Sequence, residues 1–498
     1  MTIRSLVLFS TAVLVVAATW SSRPVLAQEI DSLPHEDEQT ARESRAAALD
    51  PEFGPRLLIE DIKVTGNTAT ATRLILRALP IAPGDTLRAG DPRFRQARFK
   101  LLATGYFRDV TVALAKGSAP GRVVLTVTVV ERGTVILNSL HFGTSAATPW
   151  WAGLDLSEGN LLGTGIGVGL GGMYAAKSDI EGARSQRGLE LRVSDPALLG
   201  SRFSAHGRLY HARASEPVRA RAAPADATLE DYCTLPYARW GGRAGVGMDF
   251  DPLSQLNFEL RVERVESEHD PAPGAPACAL ADGTAAPGEV GLEPGRSRVV
   301  SVSVGFDRDT RPDPILPYAG DRLVLLAELG SESLGSSYGF TVLLARYSRW
   351  WTVRGKRHVL SLHLAGGGAI GRPPRFDELH AADFDRLLAP RAYGLLVSTT
   401  VPPDAFSTGA DALGYGGFGA SATVEYSYRL FRRPRLVYGG DLFVGAGLWG
   451  MSPTRREPER LGDAAVPIDV MVDAGLRVDT ELGVFELTFA NALGRVPL

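Results

Sequence analysis

From Gly133 to the C-terminus, apolar and polar residues alternate with a period of two. Leu189, Leu191 and Val193 interleave with Glu190, Arg192 and Ser194. Leu256, Phe258, Leu260 and Val262 interleave with Asn257, Glu259, Arg261 and Glu263. Ala422, Val424, Tyr426 and Tyr428 interleave with Thr423, Glu425, Ser427 and Arg429. That period marks strands, whose successive side chains point to opposite faces. One face takes aliphatic and aromatic residues; the other takes charges and glycine. Strands are expected to begin near 135, 150, 165, 187, 202, 239, 255, 298, 321, 338, 358, 420, 437, 467 and 484, fifteen in all. A soluble sandwich has the same alternation. Segments of ~10 residues, alternately short and long connections, and an export signal favour a transmembrane antiparallel β-barrel instead. Trp150-Trp151 and Trp350-Trp351 stand at strand ends, where they would suit interfacial aromatic girdles.

Residues 57–132 follow a different pattern and predict a small α+β unit in the order β-α-α-β-β. Ile59–Val64 reads as a strand ended by a Gly66-Asn67 turn, and Thr70–Leu79 as a short helix with Leu74, Ile75 and Leu79 inward. Asp91 caps a second helix with Pro92 at its first position. Phe94, Leu101 and Leu102 form its core face, and Gly105 stops it. Val110, Val112 and Leu114, then Val123, Leu125, Val127 and Val129, mark two hairpin-linked strands. Upstream, Arg4, an apolar run from Ser5 to Trp20, and small residues before Gln28 read as a signal peptide, 1–27. An N-terminal membrane anchor is the other reading, but the apolar run is short for one. Residues 28–56 read as a flexible acidic linker.

Composition narrows the function. Lys+Arg 53 against Asp+Glu 56 gives a net charge of −3 over 498 residues, which argues against nucleic-acid binding. Two cysteines are too few for a disulfide scaffold. Beyond the signal, no stretch is apolar over the ~18 residues a spanning helix needs. Two enzyme-like strings need structural settings that the pattern does not supply. Gly335-Ser336-Ser337-Tyr338-Gly339 matches a nucleophile elbow, but a strand rather than a helix follows it. Gly167-Val168-Gly169-Leu170-Gly171-Gly172 matches a dinucleotide fingerprint inside a period-two segment. The eight histidines show no metal-ligand spacing. No cofactor, metal or enzymatic activity is expected.

Residues 57–132 resemble a POTRA domain through Ile62-Lys63-Val64-Thr65-Gly66-Asn67, Ala103-Thr104-Gly105-Tyr106-Phe107-Arg108-Asp109-Val110 and Val127-Thr128-Val129-Val130-Glu131-Arg132. Gly66, Gly105 and Phe107 are its structural residues. Residues 133–498 resemble the surface-antigen barrel of BamA- and TamA-type assembly and translocation proteins. Asn160-Leu161-Leu162-Gly163-Thr164-Gly165 looks like their first periplasmic turn. Asp309-Thr310-Arg311 with Pro317-Tyr318-Ala319-Gly320 looks like their mid-barrel turn. Gly416-Gly417-Phe418 and Phe443–Trp449 look like strands that follow their long sixth loop. That family has sixteen strands. Fifteen are detectable here, so a missing sixteenth strand is expected, either from truncation or from a seam built differently.

The resemblance also implies site residues. The family's sixth loop carries an arginine motif into the lumen, and Pro390-Arg391-Ala392-Tyr393-Gly394 is the nearest match. Arg391 would be the buried cation, Glu425 its lumen acid, and Asp441 a substitute for a second acid whose position is held by Gly445. Cys233 and Cys278 fall in loops placed outside the cell, where a loop-to-loop disulfide is favoured over two free thiols. The implied function is insertion of proteins into the outer membrane or their transport across it. A passive outer-membrane pore of the same architecture is the alternative. Implied partners are outer-membrane lipid, unfolded client proteins, and periplasmic chaperones or accessory lipoproteins. The implied location is the bacterial outer membrane, with the POTRA domain in the periplasm.

Overall fold

The computed structural model describes residues 56–495, apart from 89, 144–147, 179, 181, 197, 199–200, 220–231, 252, 268–290, 312–315, 356, 381–392, 394, 396–414, 436, 454–467 and 481. The predicted signal peptide and all of the predicted linker but Arg56 lie outside these residues.

The N-terminal unit comprises β1 (Leu57–Thr65), α1 (Thr72–Ala78), β2 (Thr86–Leu87), α2 (Pro92–Ala103), β3 (Phe107–Lys116) and β4 (Arg122–Glu131). Its sheet order is β2-β1-β4-β3, with β1 parallel to β4. The two-residue β2 amends the expected order, because two residues cannot display a period. α2 starts as its sequence dictates: the Asp91 carboxylate accepts from Arg93 N–H at 2.9 Å, and Pro92 takes the first helical position. Ile59, Ile75, Leu101, Leu102, Phe107 and Leu125 are buried between helices and sheet. Gly66 has φ +88°, and Val129 C=O occupies the space a side chain would need there. Gly105 ends α2 at φ +81°. Leu114 is exposed, because the β3–β4 hairpin extends past the core.

Fifteen strands then run as an antiparallel meander, one near each expected start. They are β5 (Val135–Gly143), β6 (Trp151–Glu158), β7 (Gly167–Ala175), β8 (Gln186–Asp195), β9 (Phe203–Arg219), β10 (Tyr232–Asp251), β11 (Ser254–Ser267) and β12 (Gly295–Asp309). There follow β13 (Gly320–Gly330), β14 (Phe340–Arg354), β15 (His358–Gly371), β17 (Tyr415–Arg435), β18 (Val437–Pro453), β19 (Ile468–Thr480) and β20 (Gly483–Arg495). A two-residue β16 (Leu379–His380) lies in the loop after β15 and pairs with β17. The sheet runs unbroken from β5 to β20 and curls into a nearly closed barrel.

The two faces decide between sandwich and barrel. Leu170, Leu209 and Phe489 are 61%, 63% and 64% exposed, while Arg261 and Glu263 are 1% exposed. Apolar side chains point out and charges point in, the reverse of a soluble core. Each tryptophan pair splits accordingly. Trp150 and Trp351 are exposed, as girdle residues would be. Trp151 is buried, and Trp350 packs against the His363 ring and the Arg311 guanidinium.

Candidate functional site

The barrel interior has two layers. Mid-barrel, Arg239, Arg243 and Arg261 from β10 and β11 face Glu259, Glu263, Glu328 and Asp377. Arg261 Nη2 meets Glu263 at 2.7 Å, and its Nη1 meets Asp377 at 2.8 Å and Glu328 at 3.0 Å. Arg239 Nε donates to Glu263, and Arg243 Nη1 to Glu259 at 2.8 Å. Period two delivers this cluster, because alternate residues of neighbouring strands share the lumen face. At the end remote from the N-terminal unit lies an apolar layer. Trp151, Met173, Leu235 and Met451 on the wall pack in one buried cluster with Phe376, Leu379 and Leu395 from the sixth loop.

The base of that loop reaches the charged layer as a hook that carries no sequence signal. Arg375, Phe376 and Asp377 form a single 3-10 turn. Arg375 Nε donates to Glu216 at 2.9 Å, the Phe376 ring lies 3.7 Å from the Arg239 guanidinium, and Asp377 pairs with Arg261. Further along the loop, Tyr393 has φ +52°, and its hydroxyl donates to Asp155 Oδ2 on β6 at 3.0 Å. It stacks edge-on against His141 of β5 at 6.3 Å. Gly171 and Gly188 leave the room its side chain needs, which gives the dinucleotide-like glycine run a packing role in the barrel. Gly335–Gly339 lies in the β13–β14 connection with a strand after it.

Arg391 and Gly394 lie outside the described residues. Glu425 faces the lumen, and Arg477 of β19 donates to both its oxygens at 2.6 and 2.5 Å. Arg477 also meets Glu486 at 2.7 Å and lies 4.0 Å from Asp441. The described partners of Tyr393 lie on β5–β8, and Arg477 of β19 is a described partner of Glu425. Asp473 adds a residue the sequence reading missed. It stands opposite Gly445, and its carboxylate fills the space where a side chain at 445 would lie. Gly445→Asp is therefore expected to destabilise the barrel by ~1–3 kcal/mol through overpacking. Adding Asp473→Gly should restore it, as read from the temperature at which the folded band is lost in electrophoresis. Cys233 lies in β10, whereas Cys278 is outside the described residues.

A junction joins the two units. Asn160 Nδ2 donates to Thr70 Oγ1 at 3.0 Å, Ala71 N–H to Gly163 C=O at 3.1 Å, and Tyr106 OH to Gly165 C=O at 3.1 Å. Burial first, then the Asp195 charge, raise the Tyr106 phenol to about 12, so it stays a neutral donor. This contact explains why α1 starts at Thr72 rather than Thr70; Leu74 packs on the POTRA core, as expected, and also reaches Gly165. Glu131 holds the loop in place, accepting from the N–H groups of Thr68, Ala69 and Thr70 at 2.9, 2.9 and 2.6 Å. Partial burial would raise its pKa, but the Thr68 hydroxyl and these amides outweigh it and hold it at about 2. A depressed carboxylate stabilises the fold above its unfolded value of 4.5 and loses that contribution as pH falls toward 2. Glu131→Gln should remove this pH dependence and cost ~1–2 kcal/mol, with faster hydrogen exchange at Thr68–Ala71 as the readout.

Among the described residues the two ends of the sheet, β5 and β20, face each other across a seam. Both strands run away from the N-terminal unit, so they are parallel. Among the described residues one backbone hydrogen bond links them at the base, from Leu137 N–H of β5 to the C=O of Leu482, the turn residue before β20, at 2.9 Å. Every other neighbouring pair of barrel strands is joined by an antiparallel ladder.

Two family models match the chain: the Omp85 superfamily domain over residues 160–373, and POTRA, described as surface antigen variable number repeat, over residues 57–132. The chain belongs to the Omp85 superfamily. At the family level this makes it a bacterial outer-membrane protein of the insertion and translocation class, whose members are transport and assembly factors. The solved structure of CdiB from Escherichia coli is similar in fold at TM-score 0.59 and 13% identity, covering 100% of this chain and 90% of that one. BamA from Haemophilus ducreyi lacking POTRA domains 1-3 matches at TM-score 0.49 and 14% identity, over 88% of this chain and 82% of that one. Comparison with curated proteins gave no match. Within the Omp85 frame, the POTRA unit is the one that docks on the Asn160–Gly165 turn.

Proposed function

We propose that this chain assembles or translocates outer-membrane and secreted clients by lending them unpaired strand edges, with its POTRA unit in the periplasm. The carrying observation is the seam, where among the described residues one backbone hydrogen bond links β5 to the turn before β20. A client strand entering there would pair antiparallel with β5 and satisfy its outer row of backbone groups. It would leave its apolar face in lipid, so pairing and burial supply the free energy. The POTRA sheet offers a first edge. β3 is its long outer strand, and β2 at the other edge has two residues. An extended segment would add to β3 before passing to the seam. Tyr393 braces β5 from the lumen through His141. Chaperones or accessory lipoproteins would deliver the client.

The apolar layer over the lumen favours assembly over free diffusion, because the cluster of Trp151, Phe376 and Leu395 stands across the path. The test uses the purified protein in liposomes, offered a urea-unfolded barrel protein. Accelerated appearance of the folded client without a steady ion conductance is the expected result. Steady conductance with no acceleration would leave the passive-pore reading in its place.

A further inference from the structure

The turn that holds the POTRA unit has a second face. Asn160, Gly163 and Gly165 are buried against POTRA, whereas Leu161, Leu162 and Ile166 are exposed at 40%, 91% and 36%. Leu162 sits at φ +51°, a conformation that side chains rarely adopt outside glycine. The closing hydrogen bond, Leu161 N–H to Ile166 C=O at 2.9 Å, and the Asn160 Oδ1 bond from Gly165 N–H at 2.8 Å hold the turn in that shape. A strained, almost fully exposed leucine on a braced turn needs an apolar partner.

The lipid-facing band continues into this tip. On β7 the outward row is Ile166, Val168, Leu170 and Tyr174, with Tyr174 beside Trp150 at a ring separation of 5.3 Å, as in an aromatic girdle. From Tyr174 down to Ile166, eight residues at ~3.3 Å each and a strand tilt of ~40° descend ~20 Å along the membrane normal. A barrel's apolar band is ~25 Å tall, which leaves ~5 Å below Ile166. The Leu161 N–H bond to Ile166 C=O holds Leu161 and its neighbour Leu162 next to Ile166, at the edge of that interval. Val135 and Leu482, exposed at 53% and 54%, continue the same rim across the seam.

We infer that the Asn160–Ile166 turn is a lipid anchor. Leu161 and Leu162 seat in the acyl chains of the leaflet on the POTRA side, while the polar face of the turn holds Thr70, Ala71 and Tyr106. The bilayer thereby fixes the height of POTRA beside the seam. This inference goes beyond the client reading and stands or falls separately from it.

The test places an environment-sensitive fluorophore on Leu162→Cys, and separately on Leu161→Cys. Cys233 and Cys278 are replaced by serine, and folding is verified by the faster-migrating unheated band. A label on Ser118→Cys, at the POTRA hairpin tip, is the aqueous control. In full-length protein in phosphatidylethanolamine–phosphatidylglycerol liposomes, both turn labels should emit to the blue of the Ser118 label. They should also lose most of their emission to lipids carrying a nitroxide on the acyl chain. Turn labels that match Ser118 in both readouts would overturn the anchor. So would labels shielded only after an unfolded client is added, which would make the tip a client contact.

Discussion

Arg261→Ala is expected to be the most destabilising single substitution in the lumen. The Arg261 side chain is 1% exposed and neutralises parts of Glu263, Glu328 and Asp377 at once. Among the described residues three arginines face the four carboxylates of Glu259, Glu263, Glu328 and Asp377, so losing one leaves acids without their cation. Glu263 keeps Arg239, and Glu328 keeps Arg243 at 3.4 Å. Asp377 loses the 2.8 Å cation that binds the hook. Removing one member of a buried ionic set costs ~3–5 kcal/mol, because the orphaned charge stays out of water. The expected readout is a large fall in the temperature at which the folded band converts to the unfolded one. Replacing Arg261, Glu328 and Asp377 together by Met, Gln and Asn should recover most of the loss, since no orphan charge is left. If Arg261→Ala melts like the parent, the charged layer does not hold the lumen together.

The second large effect is expected at the seam. The 2.9 Å bond between Leu137 N–H and Leu482 C=O brings the two backbones within disulfide range. A client strand rising from the POTRA side must displace that bond first. In a chain with Cys233 and Cys278 changed to serine, Leu137→Cys with Leu482→Cys should close the base on oxidation. Client insertion should fall to the uncatalysed level, and reductant should restore it. Each single cysteine should retain activity under both conditions. An oxidised double variant that still inserts clients would show that the base of the seam is not the route.

Most of the barrel is legible in the sequence for a physical reason. Every strand separates lipid from lumen, so each carries the same alternation and all fifteen can be read from it, although β10 and β17 start at Tyr232 and Tyr415, ahead of the expected 239 and 420. POTRA helix α2 is equally legible, since Asp91 and Pro92 are a local cap. What escaped was non-local or too short for a pattern. Thr86–Leu87 is two residues long. The Arg375–Asp377 hook is one turn inside a long loop, and its partners Glu216, Arg239 and Arg261 are remote in sequence. Glu425 was legible as a lumen acid, but Arg477 comes 52 residues later with nothing local to link them. Asp473 comes over Gly445 only through the cross-strand register. The docking role of Asn160–Gly165 was hidden because Thr70 and Tyr106 meet it from the other unit.

The central claim is that β5 is a working edge. A photo-crosslinking amino acid at Leu140, on β5, tests it most directly in cells synthesising outer-membrane proteins, with Leu260 on the lipid face of β11 as control. Crosslinks from Leu140 to nascent clients, and none from Leu260, are the predicted result. A folded barrel that gives no client crosslinks at Leu140, or equal crosslinks at both positions, would contradict it.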